Sequence, residues 1–297
     1  MEQTPFSLGE IPSLSPKLTL CLGNFDGVHL GHQALIQKAQ QVTEGDVGVL
    51  LFDQNPAQFF PNGKSLSVLT SLEDKCRLFA SYGVERSCIV KVSRAFFALS
   101  PEDFIADVLS PLKPEILVVG SDYSFGKNAA GNLPLLKKHF RVEEVPLLER
   151  EGKKISTQAI IKAIQEGKIQ EANAELGRPY EVHGLIAHGL ENGRKIGFPT
   201  ANLHLSTPYV LPKAGVYLGI AYLRGIAHRT LINVGKNPTI GVLSHPIIEA
   251  YLEHFQGEAY GETLYLDFLS FVREEKKFAT LDELQAQIER DKQSLLK

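Results

Sequence analysis

His29 and His32 stand three residues apart among glycines, in Gly23-Asn24-Phe25-Asp26-Gly27-Val28-His29-Leu30-Gly31-His32. At that spacing two imidazoles share one face of a helix's first turn. The turn also offers backbone N–H groups with no partner inside the helix, and the positive end of the helix dipole, so anions bind there readily. Two imidazoles over such an end could hold a triphosphate and stabilise charge that develops on it during transfer. The competing chemistry for His-x-x-His is zinc binding, but Asp26 is the sole nearby third ligand and no cysteine is well placed. Either histidine, taken singly, is as readily a surface or core residue.

A second constellation is Gly193-Arg194-Lys195-Ile196-Gly197-Phe198-Pro199-Thr200-Ala201-Asn202. Gly193, Arg194, Lys195 and Gly197 make a flexible basic loop suited to phosphates. On an extended segment the side chains of Thr200 and Asn202 face the same way. A hydroxyl and an amide oxygen are hard ligands that Mg²⁺ accepts while it keeps waters and phosphate oxygens. By itself the stretch also reads as a hairpin punctuated by Gly and Pro.

The elements that must position these residues differ between the halves. Leu18–Leu22 is a short apolar run ended by Gly23, and residues 33–41 read as a helix, so the histidines sit where a strand hands over to a helix. In an open α/β sheet ligands bind outside the carboxyl ends of the strands. Further strands are expected at 46–52, 85–92, 115–120 and 141–148. Helices are expected at 72–82, behind the capping box opened by Ser71, and at 101–109, behind Ser100-Pro101. Strand and helix alternate, which argues for a mostly parallel sheet. No Gly-x-Gly occurs, so the dinucleotide fingerprint is absent. Two short helices follow at 157–165 and 168–176, and Gly177-Arg178-Pro179 ends the second. Beyond them come short strands at 180–187, 215–223, 228–234, 247–254 and 264–272, the pattern of a sandwich or barrel. Thr280 caps a last helix.

The 297 residues, 43% hydrophobic, are ample for two domains, here 1–178 and 179–297. The net charge of −3 gives no basic field for nucleic acid or an anionic membrane. Cys21, Cys76 and Cys88 have no paired spacing and read as thiols of a reducing cytoplasm. No signal-like N-terminus and no run of membrane-spanning length is seen. The expectation is a cytoplasmic protein acting on small molecules; the sequence leaves its oligomeric state open.

Gly23-x-Phe25-Asp26-x-x-His29-x-Gly31-His32 resembles the nucleotidyltransferase motif of the bifunctional bacterial riboflavin kinase/FAD synthetase family. Gly197-Phe198-Pro199-Thr200-Ala201-Asn202-Leu203 is similar to the riboflavin kinase signature. Asn233-Val234-Gly235-Lys236-Asn237-Pro238-Thr239, Ile248-Glu249-Ala250-Tyr251 and the run from Phe271 to Phe278 resemble its later segments. The resemblance implies an α/β nucleotidyltransferase domain with a Rossmann-like parallel sheet, then an all-β riboflavin-kinase barrel with a C-terminal helix. It implies that ATP phosphorylates riboflavin to FMN and that a second ATP adenylylates FMN to FAD.

The implied roles follow residue by residue. Glu249 is the general base of the kinase, Thr200 and Asn202 hold Mg²⁺, and Gly193, Arg194, Lys195, Gly197, Phe198, Pro199, Asn233 and Arg273 bind ATP or flavin. His29 and His32 serve adenylyl transfer, with Gly23, Asn24, Phe25, Asp26 and Gly31 around the phosphates. Gly120-Ser121-Asp122 matches a loop that contacts adenosine, where Asp122 would meet the ribose. Ser156 and Thr157 match hydroxyls that bind the triphosphate. The chain departs from the pattern twice: Asn55 replaces a histidine, and Ile161 stands where an arginine is expected, leaving Lys162, Lys127 or Lys153 to substitute. Two competing readings therefore stay open, a riboflavin kinase with a weak or inactive adenylyltransferase domain, and a non-catalytic flavin- or nucleotide-binding regulator.

Overall fold

Six strands pair in parallel throughout the first sheet. They are β1 (Glu2–Phe6), β2 (Leu18–Leu22), β3 (Asp46–Phe52), β4 (Arg86–Val90), β5 (Ile116–Gly120) and β6 (Arg141–Val145), in the order β1-β4-β3-β2-β5-β6. The computed structural model describes residues 1–11, 17–59, 67–188, 200–236, 246–276, 278 and 280–293. Two units emerge from the packing, Met1–Thr157 and Gln158–Lys297.

In the first unit β2 is buried at every position. Leu18, Leu20 and Leu22 pack into one hydrophobic cluster and Cys21 into another, so the alternation of a strand feeds a core on each face of the sheet. Helices α1 (Leu30–Val42) and α2 (Leu72–Ser81) cover the Cys21 face with Leu35, Ile36, Ala39 and Phe79. The capping box at Ser71 is formed, with Asp74 as its second member. The helix expected to stop near Leu109 runs on to Leu112 through a wide turn at Ile105–Leu109. Strand β1 lies outside the expected set. It is an edge strand that fully buries Phe6 alone and carries Pro5, which an edge tolerates because no second partner needs its missing N–H.

In the second unit the strands are all antiparallel. They are β9 (Tyr180–Ala187), β10 (Thr200–His204), β11 (Gly215–Leu223), β12 (Ile226–Lys236), β13 (Pro246–Leu252) and β14 (Thr263–Arg273), the hairpin Glu149–Arg150 and Lys153–Lys154 of the first unit supplying β7 and β8. They close into a barrel in the order β10-β13-β12-β11-β14-β9. Closure resolves the choice between sandwich and barrel and leaves no open sheet edge. The division at Thr157/Gln158 falls ahead of the expected 178/179 boundary because the helix Ile169–Leu176 packs with the barrel. Asn173 on that helix donates to the Phe268 carbonyl and accepts from the Tyr180 N–H, each at 2.8 Å. Gly177 ends the helix in the left-handed region, φ 72°. Among the described residues no helix is long and apolar enough to cross a membrane.

An ion pair clips the C-terminal helix Leu281–Lys292 to the barrel. The Arg273 guanidinium donates from Nε and Nη2 to the buried Asp291 carboxylate, at 2.9 and 2.7 Å on Oδ2. Removing one partner of such a pair strands the other charge, which costs about 3–5 kcal/mol. Asp291→Ala is therefore expected to destabilise the barrel unit by about 3 kcal/mol in urea unfolding; a decrease below about 1 kcal/mol would show that the helix is held by other interactions.

Candidate active sites

The chain leaves β2 toward β3 on one side and returns through β5 on the other, so the sheet's switch point lies between β2 and β5. Crevices for ligands open at the carboxyl ends of such strands. The loop carrying His29 and His32 leaves the end of β2, and the loop carrying Asp122 leaves the neighbouring end of β5.

The first loop is bent sharply. Phe25, Gly27 and Val28 have φ of 54°, 80° and 41°, a conformation that costs energy for Phe and more for a β-branched Val. Phe25 and Asp26, grouped by the motif with the phosphate-binding residues, turn inward. Phe25 is fully buried and meets Phe79 and His32 edge-on, with centroids at 5.2 Å in each case. Asp26 Oδ1 accepts from the N–H of Leu69 (2.9 Å), the N–H of Thr70 (3.0 Å) and the Thr70 hydroxyl (3.2 Å). The Gly27 N–H donates to the same hydroxyl at 2.9 Å. Burial raises the Asp26 pKa, while Lys75 and the bonds from Thr70 and Leu69 oppose the rise. The Thr157 hydroxyl donates to the Asp26 carbonyl at 3.2 Å, which brings the 156–157 segment to the loop.

Beyond this brace the two imidazoles stack, centroids 3.7 Å apart and planes within 19°. Gly31 makes the stack possible, because a Cβ there would press to 3.1 Å on the His29 ring. His29 is the N-cap of α1, and its side chain makes no capping bond. His32 Nδ1 is buried with no hydrogen-bond partner among the described residues. Burial first, then the charges of His29 and Lys75, holds the His32 pKa well below its usual value, so this ring is neutral at pH 7. Lys75 carries no signal in the sequence, where it is one more lysine on a polar helix face. It donates to the Asn24 carbonyl at 3.1 Å. Asp122 is ion-paired with Lys154, both partly exposed. Lys127, Lys153 and Lys162, named to substitute for the missing arginine, are all exposed.

The second site is set by strand register. Glu249 on β13 stands directly opposite Asn202 on β10 and opposite Asn233 on β12. Directly opposed residues share a sheet face with Cβ atoms about 5 Å apart, and Thr200, two residues from Asn202, belongs to that face. Glu249 is half-buried, and burial, then the charge of Glu275, raises its pKa. Glu275 is exposed, and its carboxylate lies over Gly235, where any Cβ would meet it. Arg273 is committed to Asp291, as described above. Gly193, Arg194, Lys195, Gly197, Phe198 and Pro199, and Asn237-Pro238-Thr239, lie outside the described residues.

Family models for FAD synthetase and riboflavin kinase match residues 12–159 and 176–297. A Listeria monocytogenes protein described as a bifunctional riboflavin kinase/FMN adenylyltransferase is 40% identical over 92% of this chain and 90% of its own. The chain belongs to that family. A Bacillus subtilis member is 35% identical over 95% of this chain and 92% of its own. A solved Streptococcus pneumoniae structure, described as a macrolide-efflux protein, superimposes with TM-score 0.90 at 30% identity, over 98% of this chain and 97% of that one.

The depressed His32 pKa has a consequence for stability. Below its usual value of 6.5 the unfolded chain takes up a proton at His32 that the folded chain refuses, so stability is full above pH 6.5 and falls as the pH drops. His32→Gln removes this contribution. Urea unfolding at pH 7.5 and 5.5 is expected to show a smaller acid loss in the variant than in the wild type, by roughly 1 kcal/mol. Equal losses would place His32 in contact with solvent in the folded state.

Proposed function

We propose that the chain makes flavin cofactors in two ATP-dependent steps, with the barrel half as riboflavin kinase and the sheet half as FMN adenylyltransferase. The observation that carries the kinase assignment is Glu249 standing between Asn202 and Asn233 in the barrel register. In the first step the ribityl hydroxyl of riboflavin attacks the γ-phosphorus of ATP, the bond to ADP breaks and FMN forms. A primary alcohol is barely ionised at neutral pH, so a carboxylate that accepts its proton assists the attack. Glu249 takes that proton, and its raised pKa makes it a better acceptor near pH 7. The Thr200 hydroxyl and the Asn202 amide oxygen are the hard donors that suit Mg²⁺, which when bound offsets charge on the phosphates. Gly193, Arg194, Lys195, Gly197, Phe198, Pro199 and Asn233 are the further residues to which ATP or flavin binding is assigned.

In the second step the FMN phosphate attacks the α-phosphorus of another ATP and pyrophosphate leaves, giving FAD. A phosphate is already a competent nucleophile, so this site needs alignment and charge stabilisation rather than a strong base. The first turn of α1, with His29 and His32, is the part to which both are assigned; the Ser156 and Thr157 hydroxyls hold the triphosphate, and Asp122 meets the ribose. The cytoplasm suits the three cysteines, which are buried and unpaired.

The steps separate by mutation. Glu249→Gln is expected to lower FMN formation by roughly 10²-fold or more while FAD formation from supplied FMN persists. His29→Ala is expected to suppress FAD formation alone. A Glu249→Gln enzyme that phosphorylates riboflavin at the full rate removes Glu249 from the chemistry, and an equal loss of both activities in His29→Ala contradicts the division of labour.

A further inference from the structure

The adenylyl-transfer site contains a cation that no motif above includes. Lys75 lies on α2, one turn beyond the capping serine, and reaches back to the loop between β2 and α1. Its ammonium donates to the Asn24 carbonyl at 3.1 Å. An ammonium has three donors, and the other two have no acceptor among the described residues. Lys75 also forms no ion pair there. The one carboxylate that acts on it is Asp26, whose Oδ1 already accepts three hydrogen bonds from the 69–70 segment.

Lys75 is half-buried, and desolvation lowers the pKa of its ammonium. His32 lies within electrostatic range of it, and Asp26 is the one carboxylate that acts on it. A neutral amide would hold the Asn24 carbonyl without the desolvation cost. What lysine alone adds is a full positive charge with spare donors, within electrostatic range of His32. A polyanion is the ligand that uses both. The family resemblance implies an arginine at position 161, where this chain has Ile161.

We propose that Lys75 binds the polyphosphate of ATP in the adenylyl-transfer site, the Asn24 carbonyl holding its ammonium beside His32. This rests on the adenylyl-transfer reading above for the identity of the ligand, though the anion site stands on the geometry of Lys75. The lysine is a phosphate-binding residue, and His29 and His32 need not be protonated for the site to carry positive charge.

The test is titration calorimetry on the full chain, wild type, Lys75→Gln and Lys75→Arg, with inorganic pyrophosphate and separately with adenosine. Removing one charge-assisted hydrogen bond should weaken pyrophosphate binding roughly 10- to 100-fold in Lys75→Gln. Adenosine affinity should stay within about twofold and Lys75→Arg should recover most of the affinity for pyrophosphate, since the charge is what matters. Unchanged pyrophosphate binding in Lys75→Gln, an equal weakening for both probes, or no pyrophosphate binding by the wild type would overturn the proposal. FAD formation by the wild type is scored separately: its absence, with Lys75-dependent pyrophosphate binding intact, would sink the adenylyl-transfer reading and leave the anion site in place.

Discussion

A buried carboxylate holds a strained loop in the first unit, and the rest of that site depends on it. Three of the four residues from Phe25 to Val28 have positive φ, and only one is glycine. Such backbone persists where its surroundings over-determine it. Asp26 provides that determination, because its Oδ1 gathers three donors from residues 69–70 and its carbonyl accepts from Thr157. With the loop fixed, His29 falls at the N-cap of α1, its ring packs over Gly31 onto His32, and the Asn24 carbonyl turns toward Lys75. Asp26 therefore shapes the loop from a buried position.

The barrel solves a different positioning problem by closure. Side chains of a strand alternate between faces, and a slip of one residue would move Glu249 to the opposite face from Asn202 and Asn233. Pairing of β13 on both sides, to β10 and to β12, prevents that slip. The two candidate sites differ in chemistry. The barrel brings the carboxylates Glu249 and Glu275 together, and the sheet unit brings together two imidazoles and an ammonium, which suits the roles proposed for them.

Much of this is legible in the sequence, for physical reasons. The central parallel strands β2, β3 and β5 bury both faces and so read as largely apolar runs, and the helices announce themselves by caps such as Ser71 and Ser100. Edge strand β1 has one buried residue and no such signal. The motif residues are visible as types at a spacing, but their individual jobs are not. Gly27 takes a positive φ and Gly31 lies against the His29 ring, and neither fact can be read from residue type and spacing. Lys75 and Glu275 escape a reading of the sequence because each reaches its site through the fold, from α2 to Asn24 and from beyond β14 to Gly235. The ion pair of Arg273 with Asp291, eighteen residues away, is likewise invisible in the sequence, because the fold brings the last helix to the barrel.

In the proposed function, two separate ATP sites act in succession on one flavin. The most direct measurement supplies the purified protein with riboflavin, ATP and Mg²⁺ and resolves the flavins chromatographically over time. FMN should rise first and then give way to FAD. FMN that accumulates with no FAD, at saturating ATP, would contradict the role assigned to the histidine pair, and the absence of both products would contradict the whole.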